Sequence, residues 1–265
     1  MAILTHGSDL TLAPTLTPIV RATDGTVRTA FSRIAEAGFR SVQLDAALSG
    51  VRPRELDSTG RRDLIATARR AGLAISGIDL FIPRSHYTDP QQVDRATQAT
   101  LATIRFAEEL GRLPLSINLP ADELATDVTE ALLTAADSAG VPLVVHAEDQ
   151  IEALKDWLKD TDPRVAGIGL DPSSLLGARA DPATLAQGLS QSLVGARLSD
   201  NRKGLADGSR CPVGTGDLDL MGYRIGIDLA PHRRGPVVLD LRGVTDPLAA
   251  AATAKQNWDD ATVSL

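Results

Sequence analysis

Ala37-Gly38-Phe39-Arg40-Ser41-Val42-Gln43-Leu44-Asp45 and, one helix-length later, Ala71-Gly72-Leu73-Ala74-Ile75-Ser76-Gly77-Ile78-Asp79-Leu80-Phe81 form the stretch that decides the fold. Each half opens on a glycine just past an alanine, a common way for a helix to stop. Each then enters a short apolar run, read as the strands Ser41–Asp45 and Ala74–Phe81. In both, an aspartate comes late in the strand.

The same unit recurs outward in both directions. Strands are expected at Thr11–Leu16, Leu115–Leu119, Leu143–His146, Ile168–Asp171, Ala196–Ser199 and Val237–Leu241, with helices filling the gaps. Asp89-Pro90, Asp181-Pro182 and Asp246-Pro247 each set an N-cap acceptor before a proline at the first helical position. Leu110-Gly111 and Ala139-Gly140 repeat the glycine stop. Strands alternating with helices imply a parallel sheet. Eight such units in 265 residues imply an α/β chain folded as one (β/α)8 TIM barrel, a single domain spanning 1–265. A doubly wound open sheet would favour a glycine fingerprint after the first strand. None is there, and Gly214-Thr215-Gly216 comes late and lacks the third glycine.

Composition limits the function classes. Aromatic residues make up only 3% of the chain, so the core must be built from Ala, Leu, Val and Ile. A net charge of −7 argues against a nucleic-acid partner. No stretch approaches the about 20 apolar residues of a membrane span. The single cysteine, Cys211, allows no intrachain disulfide and fits a reducing compartment. No signal peptide is read at the N-terminus, so the expected location is cytoplasmic. A homo-oligomer is compatible with the Ala-rich helix after strand eight.

Strand side chains alternate in direction. Gln43 and Asp45, Gly77 and Asp79, Ser116 and Asn118, His146 and Glu148, Arg197 and Ser199, and Asp240 and Arg242 share parity in pairs, while Asp171 closes the sixth strand. These residues are expected to converge at the C-terminal mouth. Glu148, Asp149 and Asp200 can equally be read as caps of the helices that follow. Three acids, Asp79, Asp171 and Asp240, facing one mouth would repel unless cations intervene; Arg197, Arg242 or a metal are the candidates. The polar, Gly-rich segment Asp200–Gly216 is the candidate active-site loop, with Arg202, Lys203 and Arg210 available to an anionic substrate. His86, beside Tyr87 on the loop after strand three, is a candidate substrate contact. His6 and His232 read as solvated, Trp157 and Trp258 as packing residues, and Cys211 lacks a nearby histidine to make it a nucleophile.

Gly38-Phe39, Val42–Asp45, Ala71-Gly72-Leu73, Gly140–His146, Gly169-Leu170-Asp171, Leu198–Asn201 and Val213–Asp219 resemble, in order and spacing, the xylose-isomerase-like TIM barrels. These are sugar (phosphate) isomerases and epimerases, with endonuclease IV as a relative. The resemblance implies a small carbohydrate substrate and proton transfer next to its carbonyl. Family epimerases hold one divalent metal on four ligands. Carried over, the strand-five Glu falls on His146, the strand-six Asp on Asp171, the strand-seven His on Arg197 and the strand-eight Glu on Asp240. A substrate-contacting His falls on Ser174.

Asp171, His146 and Asp240 thus remain as possible ligands for Mn, Co, Mg or Zn; otherwise no cofactor is implied. Arginine cannot ligate, and Arg197 is expected to stand in for the cation by pairing with Asp171 and Asp240. If strand five contributes Glu148 instead, His146, Glu148, Asp171 and Asp240 make an alternative set. The expected catalytic groups are His146, Glu148 and Asp240. The expected substrate contacts are Asp79, Asn118, Ser174, Arg197, Arg242 and His86. A multi-zinc nuclease is set aside, because the chain has four histidines and is acidic. Whether the barrel turns over a sugar or is an inactive, metal-free binding or regulatory relative stays open at this point.

Overall fold

The expected alternation of strand and helix is present in a computed structural model, which describes residues 10–23, 25–202 and 209–261. The strands are β1 (Leu12–Pro14), β2 (Ser41–Asp45), β3 (Ala74–Leu80), β4 (Leu115–Asn118), β5 (Leu143–His146), β6 (Ala166–Leu170), β7 (Leu193–Leu198) and β8 (Val237–Leu239). All pair in parallel, in the order β1-β8-β7-β6-β5-β4-β3-β2. A single parallel bridge, Thr15 to Gln43, links the two ends. The result is a nearly closed (β/α)8 barrel.

The intervening helices are α1 (Leu16–Ala22), α2 (Val27–Glu36), α3 (Ser58–Arg70), α4 (Val93–Glu109), α5 (Thr126–Ala139), α6 (Ile151–Leu158), α7 (Pro172–Gly177), α8 (Pro182–Gly188), α9 (Leu220–Asp228) and α10 (Pro247–Asp260). Asp181 and Asp246 cap α8 and α10 as expected, their carboxylates accepting from Ala183 N and Ala249 N. Gly140 ends α5 at φ +63°, a left-handed turn that a side chain would strain.

Several boundaries differ from the sequence reading. Asp89-Pro90 does not open a helix: the Asp89 carboxylate accepts from Gln91 N and closes a turn, and α4 starts at Val93. Asp171-Pro172 does open one, α7. Strand β1 is only three residues, because Leu16 already belongs to α1. Strands β6 and β7 begin earlier than expected, at Ala166 and Leu193.

The interior is narrow and filled by pairing large residues with glycines. A Cβ on Gly195 would lie 2.4 Å from Val144 Cγ1, and one on Gly169 would lie 2.6 Å from the His146 ring. These glycines, on β6 and β7, leave room for the Val144 and His146 side chains of β5. Outside, Phe31, Ile34, Ile104, Phe106, Leu132 and Trp258 are buried between helices and sheet. Trp258 Nε1 donates to Leu10 O at 2.6 Å, and the Arg224 guanidinium stacks 4.6 Å from its ring centroid. Trp157 is partly buried against the core. No helix among the described residues is long and apolar enough to cross a membrane.

Candidate active site

The late strand positions converge at the C-terminal mouth. They form two groups around a cavity of about 490 Å³. The first is a cluster of three aspartates and three arginines. Arg197, at the end of β7, is buried and donates to Asp79 from β3 and, at 3.3 Å, to Asp240 after β8. Arg242 reaches Asp79 at 3.2 Å and Asp240 at 2.5 Å. Arg210, folded back from the segment after β7, reaches Asp171 at 2.5 Å and Asp240 at 3.2 Å. Three negative and three positive charges therefore share one buried patch, which resolves the expected repulsion among the acids.

The pairing differs from the expected one. Arg197 contacts Asp79 and Asp240 rather than Asp171. Asp171 is held by Arg210, by Ser199 Oγ at 2.5 Å and by the Ser173 backbone N–H at 3.2 Å, so it also caps α7.

Burial opposes charge on these carboxylates, but their partners overcome it. Burial pushes the Asp171 carboxyl up, while Arg210, Arg197 and the Ser199 hydrogen bond pull it further down. Asp240 is likewise raised by burial and lowered more strongly by Arg242, Arg197 and Arg210, to well below the ordinary carboxylate range. Its side chain has no exposed surface, and it is not among the residues lining the cavity. Asp240 thus serves as the counter-ion of the arginines. A carboxylate held so acidic is a weak base, which argues against the proton-transfer role expected for it. The Arg197 and Arg242 guanidinium groups are shifted up: burial acts against their charge, and the aspartates outweigh it.

The second group is His146 with Glu148, just beyond β5. Their Nδ1 and Oε1 atoms are 2.9 Å apart, and both side chains are nearly buried while lining the cavity. No arginine pairs with Glu148 among the described residues. This pair therefore differs in kind from the compensated cluster across the cavity.

The other expected residues are placed as follows. Ser174, on α7, and Asn118 line the cavity. Asn118 Oδ1 accepts from Arg84 Nε at 2.6 Å, and Arg84 also pairs with Asp149 at 2.5 Å, tying the turn after β3 to the segment after β5. His86 lies on that turn, Arg84–Tyr87, but outside the residues lining the cavity. Asp200 is structural: its carboxylate accepts from the backbone N–H groups of Asn201, Gly214, Gly216 and Leu218. Arg202 donates to Thr215 O. His6 and Lys203 lie outside the described residues. Sequence reasoning missed Arg210 as a member of the cluster, and it missed Arg84. Ser199 and the Asp171-Pro172 cap were readable from parity and from the recurring Asp-Pro pair.

Whether a divalent metal suits this donor set can be tested on the geometry. Asp171 and Asp240 turn their oxygens to arginines, while His146 turns its Nδ1 to Glu148. Among the described residues, no group of three or more His, Cys, Asp or Glu side chains is arranged to hold a metal ion. The residues present do not fit the metal that the resemblance implies, because guanidinium groups already supply the positive charge.

Residues 31–255 match the family described as the xylose isomerase-like TIM barrel. No curated protein matches the sequence. Among solved structures, the chain is similar to a xylose isomerase domain protein from Alicyclobacillus acidocaldarius (18% identity, 94% of this chain and 98% of that one, TM-score 0.67). It is also similar to a xylose isomerase-like TIM barrel protein from Mycobacterium smegmatis in complex with magnesium (16%, 96% and 96%, TM-score 0.71). A third is a 3-keto-D-glucoside 4-epimerase from E. coli (13%, 95% and 99%, TM-score 0.72). At these identities the likeness is one of fold.

Proposed function

We propose, for a chain that belongs to the xylose isomerase-like TIM barrel family, that the mouth binds a small sugar and moves a proton next to its carbonyl without a metal. The observation that carries this reading is the opposition of two unlike groups across one cavity. On one wall, guanidinium N–H groups of Arg197, Arg210 and Arg242 line the space where a carbonyl oxygen can be held. On the other, His146 and Glu148 form a pair that can share and release a proton.

In this reading the pair takes the proton from the carbon beside the carbonyl. The negative charge that develops on oxygen is met by the guanidinium N–H groups, which are already oriented by their aspartates. The hydroxyl proton on the adjacent oxygen passes to the former carbonyl oxygen, and the pair returns the carbon-bound proton to the former carbonyl carbon, so that the carbonyl shifts by one position. One base working on one face suits isomerisation between aldose and ketose. Epimerisation needs a proton donor on the opposite face, and Asp240 is engaged as a counter-ion.

A second reading, a sugar-binding barrel without turnover, is favoured by the same state of Asp240. That residue stands where the family epimerases place their second glutamate, and it is held charged by arginines. The two readings separate in heavy water. Incubated with D-fructose, D-xylulose and D-ribulose, the wild-type protein is expected to exchange the carbon-bound hydrogen beside the carbonyl, followed by NMR. Glu148→Gln and His146→Gln are each expected to slow exchange by about 10²–10⁴-fold. Sugar binding by calorimetry with no exchange would overturn the catalytic reading and leave the binding one.

A further inference from the structure

A second cavity, of about 540 Å³, opens on the same face between the ends of β8, β1 and β2. It shares Asp79, Phe81 and Arg242 with the first. The 3.2 Å Asp79–Arg242 ion pair and the Phe81 side chain therefore lie at the boundary of the two cavities. Each compartment alone lies within the range of about 300–1,000 Å³ typical of small-molecule sites.

Phe81 is unusual for this molecule. The other phenylalanines, Phe31, Phe39 and Phe106, are buried, as are Tyr87, Tyr223 and Trp258. Phe81 is 57% exposed and sits at the boundary of the two cavities. An apolar ring left in water at the entrance of a polar groove offers a flat face to the apolar C–H face of a pyranose. The second compartment also carries groups that suit hydroxyls. Asp45 is fixed by Thr17 Oγ1 at 2.7 Å and by Ala47 N at 2.8 Å, which leaves lone pairs on both carboxylate oxygens. Arg21 is exposed there, with no ion-pair partner among the described residues.

We infer that the two cavities form one bipartite groove for a two-ring saccharide with a free carbonyl end. The reacting sugar sits against His146 and Glu148, and the second ring stacks on Phe81 within reach of Asp45 and Arg21. The inference rests on the proposed sugar reading and extends it to a substrate class larger than a single free sugar.

Calorimetry on the full chain tests it, with D-glucose and D-xylose set against cellobiose and lactose. The two-ring ligands are expected to bind at least about tenfold more tightly than the monosaccharides. Arg21→Ala, at a position that lines only the second cavity, is expected to shrink that gain by a few fold while leaving monosaccharide affinity unchanged; Phe81→Ala, whose ring lines both cavities, is expected to weaken the two-ring ligands more than the monosaccharides. Equal affinity for one- and two-ring ligands would overturn the bipartite groove and leave the sugar reading standing. An equal loss for both ligand sizes in Phe81→Ala would do the same. No binding of either size would overturn both.

Discussion

The two walls of the mouth use charge in opposite ways. On the arginine wall, every carboxylate meets a guanidinium group, and the net charge of the three-by-three cluster is zero. On the β5 wall, Glu148 meets an imidazole and, among the described residues, no guanidinium group. The carboxylates of both walls, apart from the rim residue Asp149, are almost fully buried. The difference teaches that burial alone does not set what a carboxylate does: Asp240 and Asp171 are spent on fixing arginines, whereas Glu148 is held by His146 at 2.9 Å and lines the cavity.

Breaking the cluster should have the largest effect on the fold. Asp240→Asn leaves three arginines with two carboxylates. An uncompensated buried charge of this kind costs about 3–5 kcal/mol, which urea unfolding will measure. A loss under about 1 kcal/mol would mean that water screens the cluster.

Acid titration sharpens the same point. The Asp171 and Asp240 carboxyls are lower in the folded protein than in the unfolded chain. Their contribution is therefore full above the ordinary value of about 3.9 and fades as the pH falls through the lower folded values. The stability gap between wild type and Asp240→Asn should be constant from pH 7 to about 5 and shrink below about pH 4. A gap that instead shrinks between pH 7 and 5 would contradict the lowered carboxyls.

Disturbing the β5 wall should cost less. Gly169→Ala would place a methyl group 2.6 Å from the His146 ring. Such overpacking costs about 1–3 kcal/mol and should displace the imidazole from Glu148. The histidine ring resonances in NMR would report the displacement, and an unchanged ring environment would contradict the tight interior. The smallest effect is expected at the rim. Asp149 is largely exposed, so Asp149→Ala should change stability by less than about 1 kcal/mol despite its pairing with Arg84; thermal unfolding checks this.

Much of the barrel was legible in the sequence, and the reasons are local. Strand β2 sets Val42 and Leu44 between polar residues and β5 carries the apolar run Leu143–Val145, each after a glycine stop, and their observed limits match the reading. Strands β6 and β7 were read too short because Gly167 and Gly195 carry no strand signal. They are glycines for a non-local reason: a Cβ on Gly167 would lie 2.4 Å from Val194 Cγ1, and one on Gly195 the same distance from Val144 Cγ1. Side-chain parity placed Asp79, Arg197, Asp240 and Arg242 at one mouth. It could not assign which acid meets which arginine, since that depends on barrel closure. Arg210 was out of reach for a further reason. Its position depends on the pairing of Cys211 with Asp200 and on the Asp200 carboxylate accepting from the Gly214 and Gly216 N–H groups, and no periodicity encodes those contacts.

The central claim, that guanidinium groups do here what a metal does in family epimerases, meets its most direct test in carbon–deuterium exchange after exhaustive treatment with EDTA. The account predicts that D-fructose, D-xylulose or D-ribulose exchanges at the same rate before and after chelation, and that added Mn²⁺ changes nothing. Exchange lost on chelation and restored by Mn²⁺ would contradict it.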